Sequence, residues 1–262
     1  MNKEIKRNFQ KFLIFVKIFT KRDLNKMSIF KGNSEIKNLY YGSKKIKEVW
    51  KGSQLIYREA TWKQHLFTTV GPGTFLIPEN AIQLRINMVS GGGGSGESTF
   101  YHGNKWAGRS GGSGAWVDRI FSEEETASFK GKTLNYIVGG AGQPAAGAQA
   151  PGPTSAGGHR GTDGGLSSAS ITDLFTLTCT GGTGGMSGWY NNDSNVAGGI
   201  ATGGNQKNVN GNSASVGDVF GKTPTVYTYG GDWGSGGWQA GYGGAYGAAT
   251  QGFVEIFVLS PG

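Results

Sequence analysis

The chain has 262 residues, of which 49 are glycine and one is cysteine, and its formal net charge is +8. A single cysteine excludes an intramolecular disulfide framework. The positive charge lies in the first 60 residues, because residues 61–262 hold ten Lys or Arg against twelve Asp or Glu. This larger part therefore has no general attraction for nucleic acid, and nucleic acid is not expected as a partner.

Residues 1–26 predict a basic amphipathic helix, with an apolar face beside a surface rich in Lys and Arg. The apolar face consists of Ile5, Phe9, Phe12, Leu13, Val16 and Phe19. The longest apolar run, 12–19, is interrupted by Lys17 and is too short to span a bilayer. Two interpretations stay open: a membrane-surface helix, or an extension upstream of a true start at Met27.

Residues 27–60 contain a ten-residue repeat marked by Gly32, Gly42 and Gly52. An aromatic residue precedes each glycine by two positions, and strand-length runs separate the glycine turns, so the repeat predicts a β-meander of short hairpins. About 30 residues bury too little surface to be stable alone, which indicates an attachment module. The run 36–57 resembles a short module found near the N-terminus of bacteriophage and prophage structural proteins. That resemblance implies contact with other virion proteins through residues 28–58.

Residues 61–262 predict an all-β domain in which strands lead directly into glycine-rich loops. The clearest case is 82–96, where Ile82, Leu84, Ile86 and Met88 alternate with polar residues before a run of glycines. We predict a β-sandwich or jelly-roll-like fold and no helix after Lys26. The predicted strands are 62–69, 74–77, 82–89, 115–121, 134–138, 171–179, 225–229 and 253–259.

The glycines of this domain require a physical explanation, because each costs roughly 0.5–1 kcal/mol relative to alanine in ordered structure. Disorder is one answer, but the many aromatic residues and few charges argue against it. The alternative is close packing of backbones in extended, polyglycine-type helices with three residues per turn. The spacing is not a strict Gly-x-y repeat, so a collagen triple helix is rejected.

No residues point to catalysis, a metal or a cofactor. Cys179 lies in a strand-like run and is predicted to be a buried structural thiol. The three histidines have no metal-ligand spacing, and the run 123–125 of three glutamates is expected to be a solvated loop. We therefore expect a protein that is not an enzyme.

The connections between strands are rich in Tyr and Trp, embedded in Gly, Ser and Asn, which is the composition of a binding surface. An alternative is that several of these rings cap the glycine segments as a small core. The candidate receptor-binding residues are Tyr101, Trp106, Trp189, Tyr190, Asn191, Asn192, Trp233, Trp238, Tyr242 and Tyr246.

The order of the glycine-rich stretches resembles the C-terminal domain of phage tail fibre proteins and tail-tip adhesins. The stretches that carry this resemblance are 73–78, 84–96, 111–116, 136–142, 161–165 and 241–257. It implies a β-sandwich with stacked polyglycine-type helices, whose loops bind a host surface protein or glycan. The expected location is the virion tail, with a homotrimer as one possible assembly. The alternative is a purely structural virion protein of the head, neck or baseplate. Ice binding by flat glycine layers is a further option.

Overall fold

A computed structural model describes residues 59–97, 108–145, 159–186, 196–213 and 249–261, together with the backbone of short strands elsewhere. It contains two compact units, Met1–Thr61 with Ser260–Gly262, and Trp62–Leu259. The helix predicted over 1–26 and the strand predicted over 225–229 lie outside the described residues. The division at residues 26 and 60 stays a prediction.

The first unit contains short antiparallel hairpins at the ten-residue interval of the repeat. They are β1 (Phe30–Lys31) with β2 (Ser34–Glu35), β3 (Leu39–Tyr41) with β4 (Lys44–Ile46), and β5 (Glu48–Lys51) with β6 (Gln54–Arg58). Each hairpin brackets one of the predicted turn glycines, Gly32, Gly42 and Gly52. Among the described strands these are two-stranded pairs, and the β-meander that would combine them stays a prediction.

In the described part of the second unit, the structure is all-β apart from one short helix, α1 (Glu123–Ala127). Its strands are β7 (Ala60–Phe67), β8 (Gly71–Leu76), β9 (Gln83–Val89), β10 (Thr99–Tyr101), β11 (Asn104–Trp106), β12 (Trp116–Ile120), β13 (Thr133–Val138), β14 (Ser167–Ile171), β15 (Phe175–Cys179), β16 (Ala201–Thr202), β17 (Lys207–Val209), β18 (Trp238–Gln239), β19 (Tyr246–Gly247) and β20 (Phe253–Pro261). Sheet I has the order β17-β12-β9-β20-β7, and sheet II has the order β16-β15-β14-β13-β8. The all-β class is therefore confirmed.

Strand β9 occupies the centre of sheet I and confirms the alternation seen in the sequence. Leu84, Ile86 and Met88 are fully buried between the sheets. Antiparallel pairing with β20 places Val254, Ile256 and Val258 beside them, and β12 pairs on the other side. This period of two puts one apolar face of the strand into the shared core.

Aromatic rings join the two sheets. Phe67 of β7 stacks on Tyr136 of β13 with ring centroids 4.5 Å apart. At the other end, Phe121 packs against Phe175 at 4.5 Å and edge-on against Phe129 at 5.1 Å. Stacked, tilted and edge contacts between large rings thus contribute to the packing of the core.

Helix α1 corrects the prediction that no helix follows Lys26 and that 123–125 is a loop. Ser122 caps the helix: its hydroxyl accepts the Glu125 N–H at 3.1 Å, and the Glu125 carboxylate accepts the Ser122 N–H at 2.7 Å. This is a capping box, which stabilises even a single turn. The Ser122 N–H, and then Arg119, hold the pKa of Glu125 below its ordinary value. In the sequence, the Ser-x-x-Glu pattern of this capping box was overlooked because three consecutive glutamates suggested a solvated loop.

The predicted strand 171–179 is wrong, because the chain turns back within it. Strands β14 and β15 pair antiparallel, with Ile171 opposite Phe175. Asp173 in the turn has a φ of 62°, and Asp tolerates this left-handed conformation better than most residues. The apolar residues on both sides of the turn made it look like one long strand.

Among the described residues, no helix has the length and apolarity needed to cross a membrane.

Cys179 is a buried core residue, as predicted, with 0% of its surface exposed. Burial raises the pKa of its thiol, so the reactive thiolate is suppressed. We predict that Cys179 in the native protein does not react with a water-soluble aromatic disulfide reagent, whereas unfolding in guanidinium chloride releases one thiol equivalent. Rapid native-state labelling with an unchanged circular dichroism spectrum would contradict this burial.

Candidate functional site

Most of the described glycines outside the two sheets belong to segments that lie side by side and bond to one another, which we call the glycine layer. Its described segments are A (90–97), B (108–115), C (139–145), D (159–166), E (180–186), F (196–200), G (210–213) and H (249–252). Several continue a strand directly: β9 leads into A, β13 into C and β15 into E. The layer therefore extends the sandwich at the ends of these strands.

Segment A donates backbone hydrogen bonds in a three-residue period. Gly91, Gly94 and Glu97 donate to segment D, with N–O distances of 3.1, 2.9 and 3.1 Å. Gly93 and Gly96 donate to segment B, at 2.9 and 2.8 Å. Every third residue of segment A thus donates a hydrogen bond to the same neighbouring segment.

The carbonyl groups of segment A follow the same period toward two further neighbours. The oxygens of Gly91 and Gly94 accept from Gly182 and Gly185 of segment E, and the Ser95 oxygen accepts from Ala145 of segment C. Three residues per turn is the period of a polyglycine-type helix. The hydrogen bonds of segment A show this period, and the polyglycine-type helices themselves stay a prediction.

The close approach of the segments explains the need for glycine. A Cβ atom at Gly94 would overlap the carbonyl group of Gln143, and one at Gly93 would overlap that of Thr183. Both obstacles are backbone, which cannot rotate away. Gly140 is different, because a Cβ there would meet only the side chain of Val70, at 3.1 Å. The layer therefore excludes side chains at particular positions and tolerates them at others.

Two buried serines fasten the layer to the sheets. The Ser90 hydroxyl donates to the Thr180 carbonyl at 2.6 Å and accepts the Ala115 N–H at 2.8 Å. The Ser167 hydroxyl donates to the Val89 carbonyl at 2.7 Å and accepts the Gly139 N–H at 2.9 Å. Each hydroxyl thus satisfies backbone groups where a strand ends and its ladder stops.

The opposite edge of the layer, which we call the distal edge, is formed by Glu97, Arg109, Ala145, His159 and Met186. Backbone bonds hold these segment ends together: Glu97 N–H donates to His159 O at 3.1 Å, and Arg109 N–H donates to Met186 O at 2.9 Å. The Glu97 carboxylate also accepts the His159 N–H at 2.8 Å. Ends of segments A to E therefore meet at one edge.

A second polar contact holds segments D and E together next to the distal edge. Asp163 accepts from Arg160 at 2.6 Å and from the Gly184 N–H at 2.7 Å, and Arg160 donates to the Gly184 carbonyl at 3.1 Å. Glu97 and Arg109, which are buried at the edge, were not singled out in the sequence. The sequence feature that could have identified them is a charged residue next to a glycine-rich run.

Three connections between segments begin at the distal edge. Connections 98–107, 146–158 and 187–195 join A to B, C to D and E to F, and they begin directly after Glu97, Ala145 and Met186. The first two also return to this edge, at Arg109 and His159. Connection 214–248 leaves from segment G, after Gly211 bonds to Gly199 and Asn212 to Ser113. It returns through segment H, where Thr250 accepts from Gly92 of segment A and Gly252 donates to Gly139 of segment C.

All ten predicted binding residues belong to three of these connections, and their side chains lie outside the described residues. The backbone of Tyr101 and Trp106 belongs to the hairpin β10–β11, and that of Trp238 and Tyr246 to the hairpin β18–β19. The described segments of the layer thus border the three connections that contain these ten residues. Whether individual rings are exposed stays a prediction.

The described residues contain no group of three or more His, Cys, Asp or Glu placed to hold a metal ion. Glu255 and Asp118, the buried acids on the outer face of sheet I, are both engaged. Asn87 donates to Glu255 at 2.9 Å and Gln64 donates to its other oxygen, while Arg85 binds Asp118 through two contacts at 2.9 and 2.6 Å. These carboxylates serve the fold.

The fold defines a class of protein in which a two-sheet β-sandwich continues into a bonded layer of glycine segments. Residues 68–256 match the family model of the glycine-rich domain, and the chain belongs to this family. No curated protein matches the chain.

The contrast between Gly94 and Gly140 gives a direct test of backbone packing in the layer. Gly94→Ala forces a methyl group into the Gln143 backbone, and we predict a loss of about 3 kcal/mol or more in the free energy of unfolding. Gly140→Ala meets only a movable Val70 side chain and is predicted to stay within about 1 kcal/mol of the parent. Urea unfolding measures both. Equal stability of the two variants would show that the segments are not packed backbone to backbone.

Proposed function

We propose that this protein is a component of a bacteriophage virion tail, a tail fibre or tail-tip protein that binds a receptor on the host cell surface. The receptor is a surface protein or a glycan, and it is bound by the connections at the distal edge. The observation that carries the proposal is the gathering of connection ends at that edge, which brings together ends of connections 98–107 and 187–195, two of the three that contain candidate binding residues.

The glycine layer supports a binding role because it fixes the bases of the connections. Segment A alone bonds to segments B, C, D, E and H through backbone groups. Loops on a rigid scaffold lose less conformational entropy when they bind, because their ends are already ordered. Tyr and Trp add large contact areas at low entropy cost, and the surrounding Gly, Ser and Asn add adaptable hydrogen bonds.

The N-terminal hairpins support attachment to the particle. Each pairs only two short strands among the described residues, and an isolated two-stranded hairpin is marginally stable in water. Such hairpins gain stability when they pack on a larger partner. We assign that partner to other virion proteins, through residues 28–58, and a homotrimer of this chain is compatible with the same requirement.

The proposal is tested with the full-length protein and a panel of candidate host bacteria. We predict saturable binding to at least one strain, measured by flow cytometry of labelled protein. The double variant Trp189→Ala/Tyr190→Ala removes two neighbouring rings of connection 187–195 and is expected to weaken binding at least tenfold. Its melting temperature should remain within a few degrees of the parent, because these residues lie outside the layer.

The matched control is Trp62→Ala, which removes a Trp that is 45% exposed on β7, away from the distal edge. It should leave cell binding unchanged. Parent protein that binds no strain, together with antibody labelling of the head, neck or baseplate of a particle, would refute the receptor role. That result would favour the structural virion protein instead.

A further inference from the structure

The strands of sheet II contain no charged residue. The sequences of β8, β13, β14, β15 and β16 are GPGTFL, TLNYIV, SSASI, FTLTC and AT. Sheet I differs, with Lys63, Arg85, Asp118, Lys207 and Glu255 among its strand residues. A solvent-facing sheet normally carries charges, so the neutral outer face of sheet II is a distinct surface.

Strand register places the outward-facing side chains of this face, all of them uncharged, in two rows. One row is Thr74, Asn135, Ser170 and Thr176, and the other is Pro72, Ile137, Ser168 and Thr178. Neighbouring strands are about 4.8 Å apart, and alternate residues of one strand are about 6.8 Å apart. The face is thus a regular array of hydroxyl and amide groups with an apolar strip at Pro72 and Ile137.

A depression of about 390 Å³ lies between the rows where β8, β13 and β14 meet. The strand register sets the outward-facing residues that line it, among them Thr74, Asn135 and Ile137. On the inner face of the same strands, the ring of Tyr136 fills the space that Gly73 leaves and stacks on Phe67 with centroids 4.5 Å apart. The floor of the depression is therefore pre-formed.

The polar groups around the depression are free to bind. Within the described part of the chain, the side chains of Thr74, Asn135, Ser168 and Ser170 make no hydrogen bond to another residue. Ile137 beside them is 39% exposed. The surface thus offers unpaired donors and acceptors next to a small apolar contact, held on a sheet that does not need to reorganise.

We propose that the outer face of sheet II is a second binding site, specific for an uncharged oligosaccharide. A sugar ring has hydroxyl groups at its edge and C–H groups on its faces, which match a polar row beside Ile137. An acidic ligand would lose hydration without gaining a counter-charge. A protein partner is disfavoured, because protein interfaces are depleted in Ser and anchored by aromatic residues.

This site is separate from the distal edge. Of the strands that carry the depression, β13 precedes segment C and β14 follows segment D, so the length of these segments lies between it and the distal edge. The two sites are therefore testable independently, with different variants.

The test uses the full-length protein and calorimetric titration with pentasaccharides of glucose, mannose, galactose or N-acetylglucosamine, and with pentagalacturonate as the acidic comparison. We expect at least one uncharged pentasaccharide to bind and the acidic one not to. Asn135→Arg should weaken that binding at least tenfold, and the milder Asn135→Ala should weaken it about threefold. The control Trp62→Arg places the same charge on exposed strand β7 of sheet I, which is not part of this face, and should bind like the parent.

Absence of binding by all the uncharged pentasaccharides overturns the proposal, as does equal binding of pentagalacturonate or undiminished binding by a folded Asn135→Arg protein. Sedimentation that shows a dimer broken by Asn135→Arg would instead assign the face to a second copy of the chain. Thermal hysteresis abolished by that variant would assign it to ice. Binding that is lost in Trp189→Ala/Tyr190→Ala rather than in Asn135→Arg would place the glycan at the distal edge and refute the second site.

Discussion

Close contact between backbones in the glycine layer is the constraint on which the rest of the structure depends. Carbonyl groups stand where the Cβ atoms of neighbouring segments would otherwise be, as at Gly94 against Gln143. This proximity lets peptide groups far from any sheet bond to one another, so their desolvation is compensated. It also explains why a chain retains so many glycines despite their entropic cost.

Strand β9 and segment A connect the two halves of this architecture. The strand is central in sheet I, and the segment that follows it bonds to five neighbouring segments of the layer. The change from strand to layer occurs at Ser90, whose hydroxyl satisfies backbone groups of two other segments. One continuous stretch thus joins a hydrophobic core, held by side chains, to a layer held by peptide groups.

The sheets and the glycine layer present two surfaces of different chemistry. Connections rich in aromatic residues begin at the distal edge, which suits recognition of a receptor with an irregular surface. The outer face of sheet II is uncharged and rich in hydroxyl groups around a depression, which suits a repetitive neutral ligand. Both surfaces lie outside the hydrophobic core that the two sheets share.

Local signals in the sequence were enough for part of this description. Alternation at Leu84, Ile86 and Met88 predicted the central strand, and the position of Cys179 in an apolar run predicted its burial. The absence of side chains, together with few charges, predicted backbone packing. All three depend on residues close in the chain. Tertiary structure decided the turn at Asp173, the difference between Gly94 and Gly140, and the gathering of connections at one edge. Those outcomes depend on which distant segments become neighbours, and a run of glycines looks the same in sequence whichever neighbour it meets.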